Sequence, residues 1–408
     1  MNTNIQLQPP QIADDLLEEY RPGTSFFFAS PSATLLAQGT LAVLPGTPGP
    51  NELASLPQRA AQLLAHIRQP GQDIPVLVGA VPFDPAQPAQ LVVPLAVHKL
   101  GPLSHPQAEG AHAPVGTDFA AMPVPAPAAY VGGVEQALKR LRSGELDKIV
   151  LARSLRLTSA ERVNIRQLLR NLAQHNAHGY TFAVDLPKRI DGSAQAQPSV
   201  EGRTLVGASP ELLVARKGRE ITVNPLAGSI PRSEDPAEDA RRAQSLLASP
   251  KDLREHALVI DAVAAALRPY CDPLHVPAPA LVQTSTMWHL STEIKGRLID
   301  PNVSSLELAV ALHPTPAVCG APTEPAREAI RDIEPFDRGF YTGLVGWCDG
   351  SGDGEWVITI RCAVAENRTL TLYAGAGVVA ESSAESELKE TTAKFQTMLQ
   401  AMGVTHKE

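Results

Sequence analysis

Cysteine is scarce in this chain of 408 residues, and the four cysteines present lie far apart in the sequence. No two of them form a CxxC pair; they are Cys271, Cys319, Cys348 and Cys362. This pattern argues against a disulfide scaffold and against a zinc site built from cysteine pairs. It predicts reduced thiols in a cytoplasmic protein.

The chain also lacks long apolar runs and an excess of basic residues. No run reaches about 18 apolar residues, so we expect no membrane span, and the N-terminus has no charged-then-apolar signal pattern. The formal net charge of −8 at pH 7 argues against nucleic acid as a partner. An anionic ligand would therefore be bound by local lysine or arginine side chains or through a metal ion.

Several common catalytic motifs are missing as well, including the P-loop, HExxH and GxSxG. The segment Gly375–Ala380 matches GxGxxA, but the residues after it read mostly as one helix. A dinucleotide site needs a βαβ unit at that point and an acidic residue ending a second strand. We therefore exclude a dinucleotide-binding fold.

Short apolar runs alternate with helical patterns along the chain, and few βαβ units can be recognised. This predicts an α+β fold in which antiparallel sheets and helices form layers. Phe340–Cys348, Glu355–Ala363 and Thr369–Tyr373 are expected to be consecutive strands of one antiparallel meander. Residues 101–128, rich in proline and alanine, predict a surface crossing, and the polar residues 187–203 predict a hairpin tip.

The stretch that follows Thr369–Tyr373 predicts a glycine turn and then a helix opened by Ser382. On that helix Glu387, Glu390 and Lys394 fall on one narrow arc. This arc borders the apolar stripe formed by Leu388, Phe395 and Met398. Two interpretations remain open here. Carboxylates edging toward a core suit a hard divalent cation such as Mg²⁺, whereas a solvated helix face with a Glu390–Lys394 ion pair is the ordinary structural alternative.

Five further residues are candidates for chemistry, and each has an ordinary structural alternative. Lys148 could be a surface lysine at a strand start, and His289 a core histidine. Glu211 and Glu255 could be acids of no special role near helix starts. Arg361 lies within the apolar run WVITIRCAV, where a buried guanidinium needs an anionic partner, so we favour a functional role there.

Ten ordered segments between Tyr130 and Val404 resemble the chorismate-utilising enzymes, and most closely the isochorismate synthases of the siderophore type. The segments are DKIVLAR, GASPELL, PLAGS, KDLREHALV, TMWHLST, LHPTPAVCG, EPFDRGFYTGLVGW, GEWVITIRCA, AGAGVV and ESELKET. GAVPFDP in the first third is also similar to that subfamily. The resemblance implies the family's large layered sandwich of antiparallel sheets with helices. It implies one chorismate-binding catalytic domain over 1–408, with a strand-rich part at 1–128 and a catalytic core at 129–405.

The resemblance also implies a reaction. The substrate would be chorismate, with Lys148 as the base that activates water and Glu211 as the acid that protonates the departing C4 hydroxyl. Glu255 and Glu390 would hold Mg²⁺, and Glu387 would be a companion acid acting through water. Because Glu211 must hold a proton near neutral pH, we expect its pKa to be raised.

The other residues matched to the family are those that would contact the substrate: Gly228, Ser229, His289, Ala317, Tyr341, Arg361, Gly375, Gly377 and Lys394. Among them Arg361 would take the enolpyruvyl carboxylate, since a planar guanidinium can bind a carboxylate bidentately. Lys394 would lie near the ring carboxylate. The glycines would let the main chain approach the ring closely.

Relatives on the same scaffold leave alternatives for the reaction. Anthranilate and aminodeoxychorismate synthases use ammonia from a glutaminase partner and typically lack a lysine matching Lys148, so we expect no glutaminase subunit; we also expect a monomer. Salicylate synthases typically carry a threonine at the position of Ala317 and go on to eliminate pyruvate. A salicylate synthase, a menaquinone-pathway isochorismate synthase and an inactive chorismate-binding protein remain alternatives to an enzyme that feeds 2,3-dihydroxybenzoate siderophores.

Overall fold

The structure is a computed structural model that describes residues 12–71, 73–104, 113–174, 176, 178–186 and 202–404. Most of the predicted hairpin tip, at 187–201, lies outside the described residues, and so do residues 105–112 of the predicted crossing. No helix in the described ranges is long and apolar enough to cross a membrane.

Helices and strands alternate irregularly along the chain. The strands are β1 (Ser25–Ala29), β2 (Thr34–Gln38), β3 (Ala42–Val43), β4 (Val76–Val81), β5 (Gln90–Val93), β6 (Ala96–Leu100), β7 (Ala120–Val124), β8 (Lys148–Thr158), β9 (Tyr180–Leu186), β10 (Arg203–Ser209), β11 (Leu212–Lys217), β12 (Glu220–Asn224), β13 (Leu226–Pro231), β14 (Cys271–His275), β15 (Ala280–Gln283), β16 (Met287–Ser291), β17 (Ile294–Leu298), β18 (Gly320–Ala321), β19 (Leu344–Asp349), β20 (Gly354–Ile358), β21 (Cys362–Glu366) and β22 (Thr369–Val378). The helices are α1 (Ala13–Glu19), α2 (Glu52–Ile67), α3 (Pro127–Arg142), α4 (Ile165–Gln174), α5 (Pro236–Ala248), α6 (Pro250–Leu267), α7 (Ser305–Leu312), α8 (Thr323–Ile333) and α9 (Ala384–Ala401).

These strands form two large sheets and one small sheet, and neighbouring strands pair antiparallel. Sheet I runs in the order β18-β8-β22-β21-β10-β9-β1-β2-β6, with β7 also paired to β8. Sheet II runs β14-β17-β12-β11-β20-β19-β4-β5-β3, and sheet III is β13-β16-β15. The predicted α+β class with antiparallel sheets is confirmed.

The two large sheets pack face to face with helices on their outer sides. One apolar cluster joins Phe28 and Leu205 of sheet I to Val345 and Val357 of sheet II. Helices α1, α4 and α9 pack on the outer face of sheet I, and α2, α6 and α7 pack on that of sheet II. The predicted layered sandwich is therefore present, since each apolar face is buried against another layer.

The predicted C-terminal meander is wrong, because its strands belong to different sheets. The segment expected as one strand at Glu355–Ala363 divides into β20 of sheet II and β21 of sheet I. Between them the chain crosses from one sheet to the other, and Arg361 adopts a φ of +49°. A left-handed residue interrupts strand geometry, so this arginine lies outside both strands.

The predicted glycine turn after Tyr373 is also wrong. Strand β22 continues through Gly375 and Gly377, which pair with Ala152 and Val150 of β8. The helix that follows begins one residue later than expected, because Ser383 is its N-cap and accepts the N–H of Ser386.

The predicted irregular crossing at 101–128 contains regular structure near its end. Its residues Ala120–Val124 form β7, which pairs with β8, and α3 already begins at Pro127. This strand was not predicted because Pro123 and Pro125 weaken the sequence pattern of a strand. Proline is nevertheless tolerated in a strand where its nitrogen is not needed as a hydrogen-bond donor.

Candidate active site

Most of the predicted site residues surround one pocket, which lies where sheets I and III meet α6 and α9. Twelve of them line it: Glu211, Gly228, Ser229, Glu255, His289, Ala317, Tyr341, Arg361, Gly375, Gly377, Glu390 and Lys394. Of the two others, Lys148 adjoins the pocket through its ion pair with Glu255, whereas Glu387 lies one turn before Glu390 on α9 and pairs with Lys251 outside the lining. The candidates are thus spread over the sequence and brought together by the fold.

Lys148 begins β8 and is fully buried, so the surface-lysine alternative is wrong. Its Nζ lies 2.9 Å from Oε1 of Glu255 on α6. The contact is an ion pair without hydrogen-bond alignment, and Nζ has no hydrogen-bond partner in the described part of the chain. Gly377 makes room for this pair, because a Cβ there would lie 2.3 Å from Oε1 of Glu255 and 3.0 Å from Cε of Lys148. The amine therefore keeps hydrogen-bonding capacity for a ligand.

Glu211 lies between β10 and β11, and its side chain is buried. Burial raises the pKa of Glu211 to about 7, although the main-chain N–H of Leu226 and the charges of Lys148 and Arg361 oppose the shift. Its carboxyl therefore holds a proton near neutral pH, as expected for a general acid.

Arg361 is buried at the crossing between the two large sheets. Its Nη2 lies 3.4 Å from Nε2 of His289, and its Nε has no partner within the described ranges. No carboxylate among the described residues lies within ion-pair distance of it. A buried guanidinium without a carboxylate partner favours binding of an anionic ligand.

His289, on β16, is held in its neutral form. Burial lowers the pKa of His289 well below the usual value, and the charges of Arg361 and Lys394 lower it further. A neutral imidazole leaves the positive charge of this side of the pocket to Arg361 and Lys394.

Helix α9 supplies Glu390 and Lys394, whose predicted ion pair is present. Oε1 of Glu390 accepts hydrogen bonds from Lys394 and from Oγ of Ser229, the latter at 2.9 Å. Lys394 Nζ also donates to the carbonyl of Gly375 at 3.0 Å. Burial opposes the charge of Glu390, but Lys394 and Ser229 hold its pKa below the usual value. The carboxylate is therefore ionised inside the pocket.

Glu387, one turn earlier on α9, is buried, so the interpretation of α9 as a solvated face is wrong at this residue. Its Oε1 lies 3.2 Å from Nζ of Lys251, at the start of α6, while its Oε2 has no partner among the described side chains. Burial and the neighbouring charge of Glu390 raise the pKa of Glu387 to about 7. Lys251 was missed in the sequence, although it lies one helical turn before Glu255.

The carboxylates fit a hard divalent cation in their chemistry. Glu255, Glu387 and Glu390 offer only oxygen donors, and one buried oxygen of Glu387 is without a partner. Within the described ranges no three acidic, histidine or cysteine side chains converge closely enough to enclose an ion on their own. Mg²⁺ is commonly bound by one or two carboxylates together with water and substrate, which does not require such convergence.

Comparison with known proteins decides the family. A family model described as chorismate binding enzyme matches residues 103–403. The chain belongs to the chorismate-binding enzymes. Isochorismate synthase DhbC of Bacillus subtilis is 58% identical over 395 residues, covering 97% of each chain. The vibriobactin-specific isochorismate synthase of Vibrio cholerae is 42% identical over 399 residues, covering 96% of this chain and 95% of the relative.

Among solved structures of chorismate-binding enzymes, DhbC from Bacillus anthracis superposes with a TM-score of 0.89 at 51% identity. The match covers 97% of this chain and 100% of that one. The first third of the chain is thus included in the shared fold, although the family model begins only at residue 103.

Proposed function

We propose that this chain is an isochorismate synthase, which converts chorismate to isochorismate. The observation that carries the proposal is one pocket that is lined by a carboxyl of near-neutral pKa, Glu211, and adjoined by a buried amine, Lys148. A base and an acid are what the addition of one hydroxyl and the loss of another require. The 58% identity to isochorismate synthase DhbC supports the same reaction.

In the proposed mechanism, Lys148 and Glu211 move one proton each. Lys148, acting in its neutral form, takes a proton from water as the water oxygen bonds to ring C2, and the ring double bonds shift. The C–O bond at C4 breaks, and Glu211 gives its proton to the departing hydroxyl, which leaves as water. One water is consumed and one is released, so the reaction is an isomerisation.

Each of the substrate's two carboxylates is assigned to a positive charge in the pocket. Arg361 would bind the enolpyruvyl carboxylate, because its buried guanidinium is without a carboxylate partner and can form a fork. Glu255 and Glu390 would hold Mg²⁺ toward the ring carboxylate, with Glu387 as companion acid. Bound there, Mg²⁺ would neutralise the ring carboxylate and orient the substrate. Lys394 and Ser229 orient Glu390 through their hydrogen bonds.

The remaining substrate contacts would be made by main chain and by uncharged side chains. Gly228, Gly375 and Gly377 bring the main chain to the pocket surface, and Gly228 has a φ of +79° that favours glycine. Tyr341 and Ala317 line the pocket near them. With alanine and no hydroxyl at residue 317, we expect isochorismate to accumulate without pyruvate elimination.

The biological setting follows from the relatives. We place the enzyme in the supply of 2,3-dihydroxybenzoate for catechol siderophores, since DhbC of Bacillus anthracis, 51% identical, is described as specific for 2,3-dihydroxybenzoate. We further propose a monomeric cytoplasmic enzyme without a glutaminase subunit, and one catalytic domain over 1–408. Sheets I and II each combine strands from the first third with strands from the rest of the chain, which supports a single domain.

Incubation with chorismate and Mg²⁺, followed by product analysis by NMR, tests the proposal. We expect isochorismate as the product and no pyruvate. Salicylate with an equal amount of pyruvate as the main product would contradict it and would favour a salicylate synthase. Chorismate recovered unchanged, while the protein still binds it, would identify an inactive chorismate-binding protein.

A further inference from the structure

A second buried arginine, Arg338, lies behind the pocket wall and holds several of the residues that form it. Its Nη1 donates to the carbonyl of Val318 at 2.8 Å and to Oγ1 of Thr342 at 3.2 Å. Its Nη2 donates to the carbonyl of Val150 at 2.7 Å. Val150, Val318 and Thr342 all line the pocket, whereas Arg338 does not. One guanidinium therefore connects three separate segments of the wall.

The charge of Arg338 is balanced by Glu334, and the two form a buried fork. Nε and Nη2 of Arg338 donate to the two carboxylate oxygens of Glu334 at 2.9 and 2.6 Å. Oε1 of Glu334 also accepts the main-chain N–H of Ala152, on β8, at 2.7 Å. The fork is thus attached to β8, the strand that carries Lys148, through Val150 and Ala152.

Aromatic rings enclose the guanidinium. Phe83 and Tyr341 lie with their ring centroids 4.7 and 5.8 Å from the guanidinium carbon. Phe83 belongs to the GAVPFDP segment of the first third, and its N–H donates to the carbonyl of Gly339 at 2.9 Å. Tyr341 lines the pocket and stacks on Tyr373, which lines it too.

We propose that Arg338 is a positioning residue for the reaction. It sets the separation of β8, the segment at Val318 and the segment at Tyr341–Thr342, and so fixes where Lys148 stands relative to the bound ring. This inference rests on the proposed function. Lysine cannot take over the role, because its single ammonium cannot reproduce the planar fork and reach two carbonyls as well.

Arg338→Lys tests the proposal, and the chain offers a matched control in Arg216. Arg216 is also buried and donates to three carbonyls, those of Gly218, Ser351 and Pro301, but none of these residues lines the pocket. Both substitutions are expected to lower the melting temperature. Only Arg338→Lys should lower kcat, by about tenfold or more with a smaller change in KM, since misplacing reacting groups mainly affects orientation.

Hydrogen–deuterium exchange provides a readout that does not need turnover. The amide of Val150 donates to the carbonyl of Cys319, and that of Ala152 donates to Glu334. Exchange in residues 148–153 and 313–320 should therefore rise in Arg338→Lys and stay unchanged in Arg216→Lys. Phe83→Leu, which removes the ring beside the guanidinium and its edge contact with His313, should lower kcat and raise exchange in residues 148–153, both by less than Arg338→Lys does. If Arg338→Lys does not fold, Phe83→Leu replaces it as the test of the positioning role.

Two results would overturn the positioning role. One is a kcat for Arg338→Lys equal to that of Arg216→Lys; the other is unchanged exchange in the two pocket segments. Absence of turnover in the wild type and in Arg216→Lys alike would instead contradict the proposed function. The exchange comparison would still decide whether Arg338 holds the wall.

Discussion

At the scale of single residues, the site depends on keeping unlike charge states close together. Glu390 is held ionised by Lys394 and Ser229, while burial raises the pKa of Glu211 to about 7. His289 stays neutral beside Arg361. Each state follows from a specific environment and not from residue type, so each can be changed by a single substitution.

Glu211→Gln should abolish most activity and stabilise the protein at alkaline pH. Loss of the general acid is expected to lower kcat by about 10²–10⁴-fold. The pKa of Glu211 in the folded protein is about 7, above its usual value of 4.5. The folded state therefore binds this proton more tightly than the unfolded state, and its stability contribution is lost as pH rises through about 7. Chemical denaturation measures the free energy of unfolding of both proteins. The difference between Glu211→Gln and wild type should be more favourable to the variant by about 2–3 kcal/mol near pH 8 than near pH 5.

Glu328→Gln is the control for this experiment, because Glu328 is exposed on α8. It should leave both kcat and the pH dependence of stability unchanged. A Glu211→Gln variant that gains no more stability near pH 8 than near pH 5 would show that Glu211 ionises normally in the folded protein. It would also remove the basis for its role as the acid.

The residues of the site could largely be predicted from the sequence, but their surroundings could not. Glu255 and Glu390 are candidates in the sequence because of their motifs, and both line the pocket. The ion pair between Lys148 and Glu255 has no local signal, since over a hundred residues separate the partners. The left-handed conformation of Arg361 was missed because an apolar run containing one arginine predicts a continuous strand.

At the scale of secondary-structure elements, β22 and α9 carry the part of the site for which the sequence was most misleading. Two glycines so close together predict a turn, yet both pair with β8 and so extend β22. Neighbouring side chains leave no room for a Cβ at either residue, the nearest being Tyr341 at Gly375 and Glu255 at Gly377. The N-cap of α9 was predicted one serine too early, at Ser382 and not at Ser383. Ser382 accepts the N–H of Val379 and so closes the loop before the helix.

Gly377→Ala tests the reason for this glycine. The added Cβ would lie 2.3 Å from Oε1 of Glu255 and 3.0 Å from Cε of Lys148, so the Glu255 carboxylate must shift from its place beside Lys148. We expect kcat/KM for chorismate to fall about 100-fold while the protein stays folded, because small displacements of reacting groups are costly. The measurement is steady-state kinetics together with circular dichroism.

Gly132→Ala is the matched control. Gly132 lies in α3, and a Cβ there would meet nothing within 4 Å. Alanine should leave the kinetics unchanged and raise stability by about 0.5–1 kcal/mol, because glycine is a poor helix former. Full activity of Gly377→Ala would mean that the Lys148–Glu255 arrangement is not needed.

At the scale of the whole molecule, the sequence predicted layers of antiparallel sheet and helix but not how the strands are divided between the sheets. An alternation of polar and apolar residues predicts a strand, but it does not predict which strands pair with it. The chain therefore looked like one meander where β20 and β21 belong to different sheets. The first third showed no chemistry in its sequence, yet it contributes strands to both large sheets and places Phe83 against Arg338.

The central claim is that water adds at C2 while the C4 hydroxyl leaves, with Lys148 as the base. The most direct test is to run the reaction in water enriched in oxygen-18 and to locate the label in isochorismate by mass spectrometry and NMR. We expect one oxygen-18 atom, at the C2 hydroxyl, and no labelled product from Lys148→Ala. Isochorismate that carries no label, or a Lys148→Ala variant with wild-type turnover, would contradict the account.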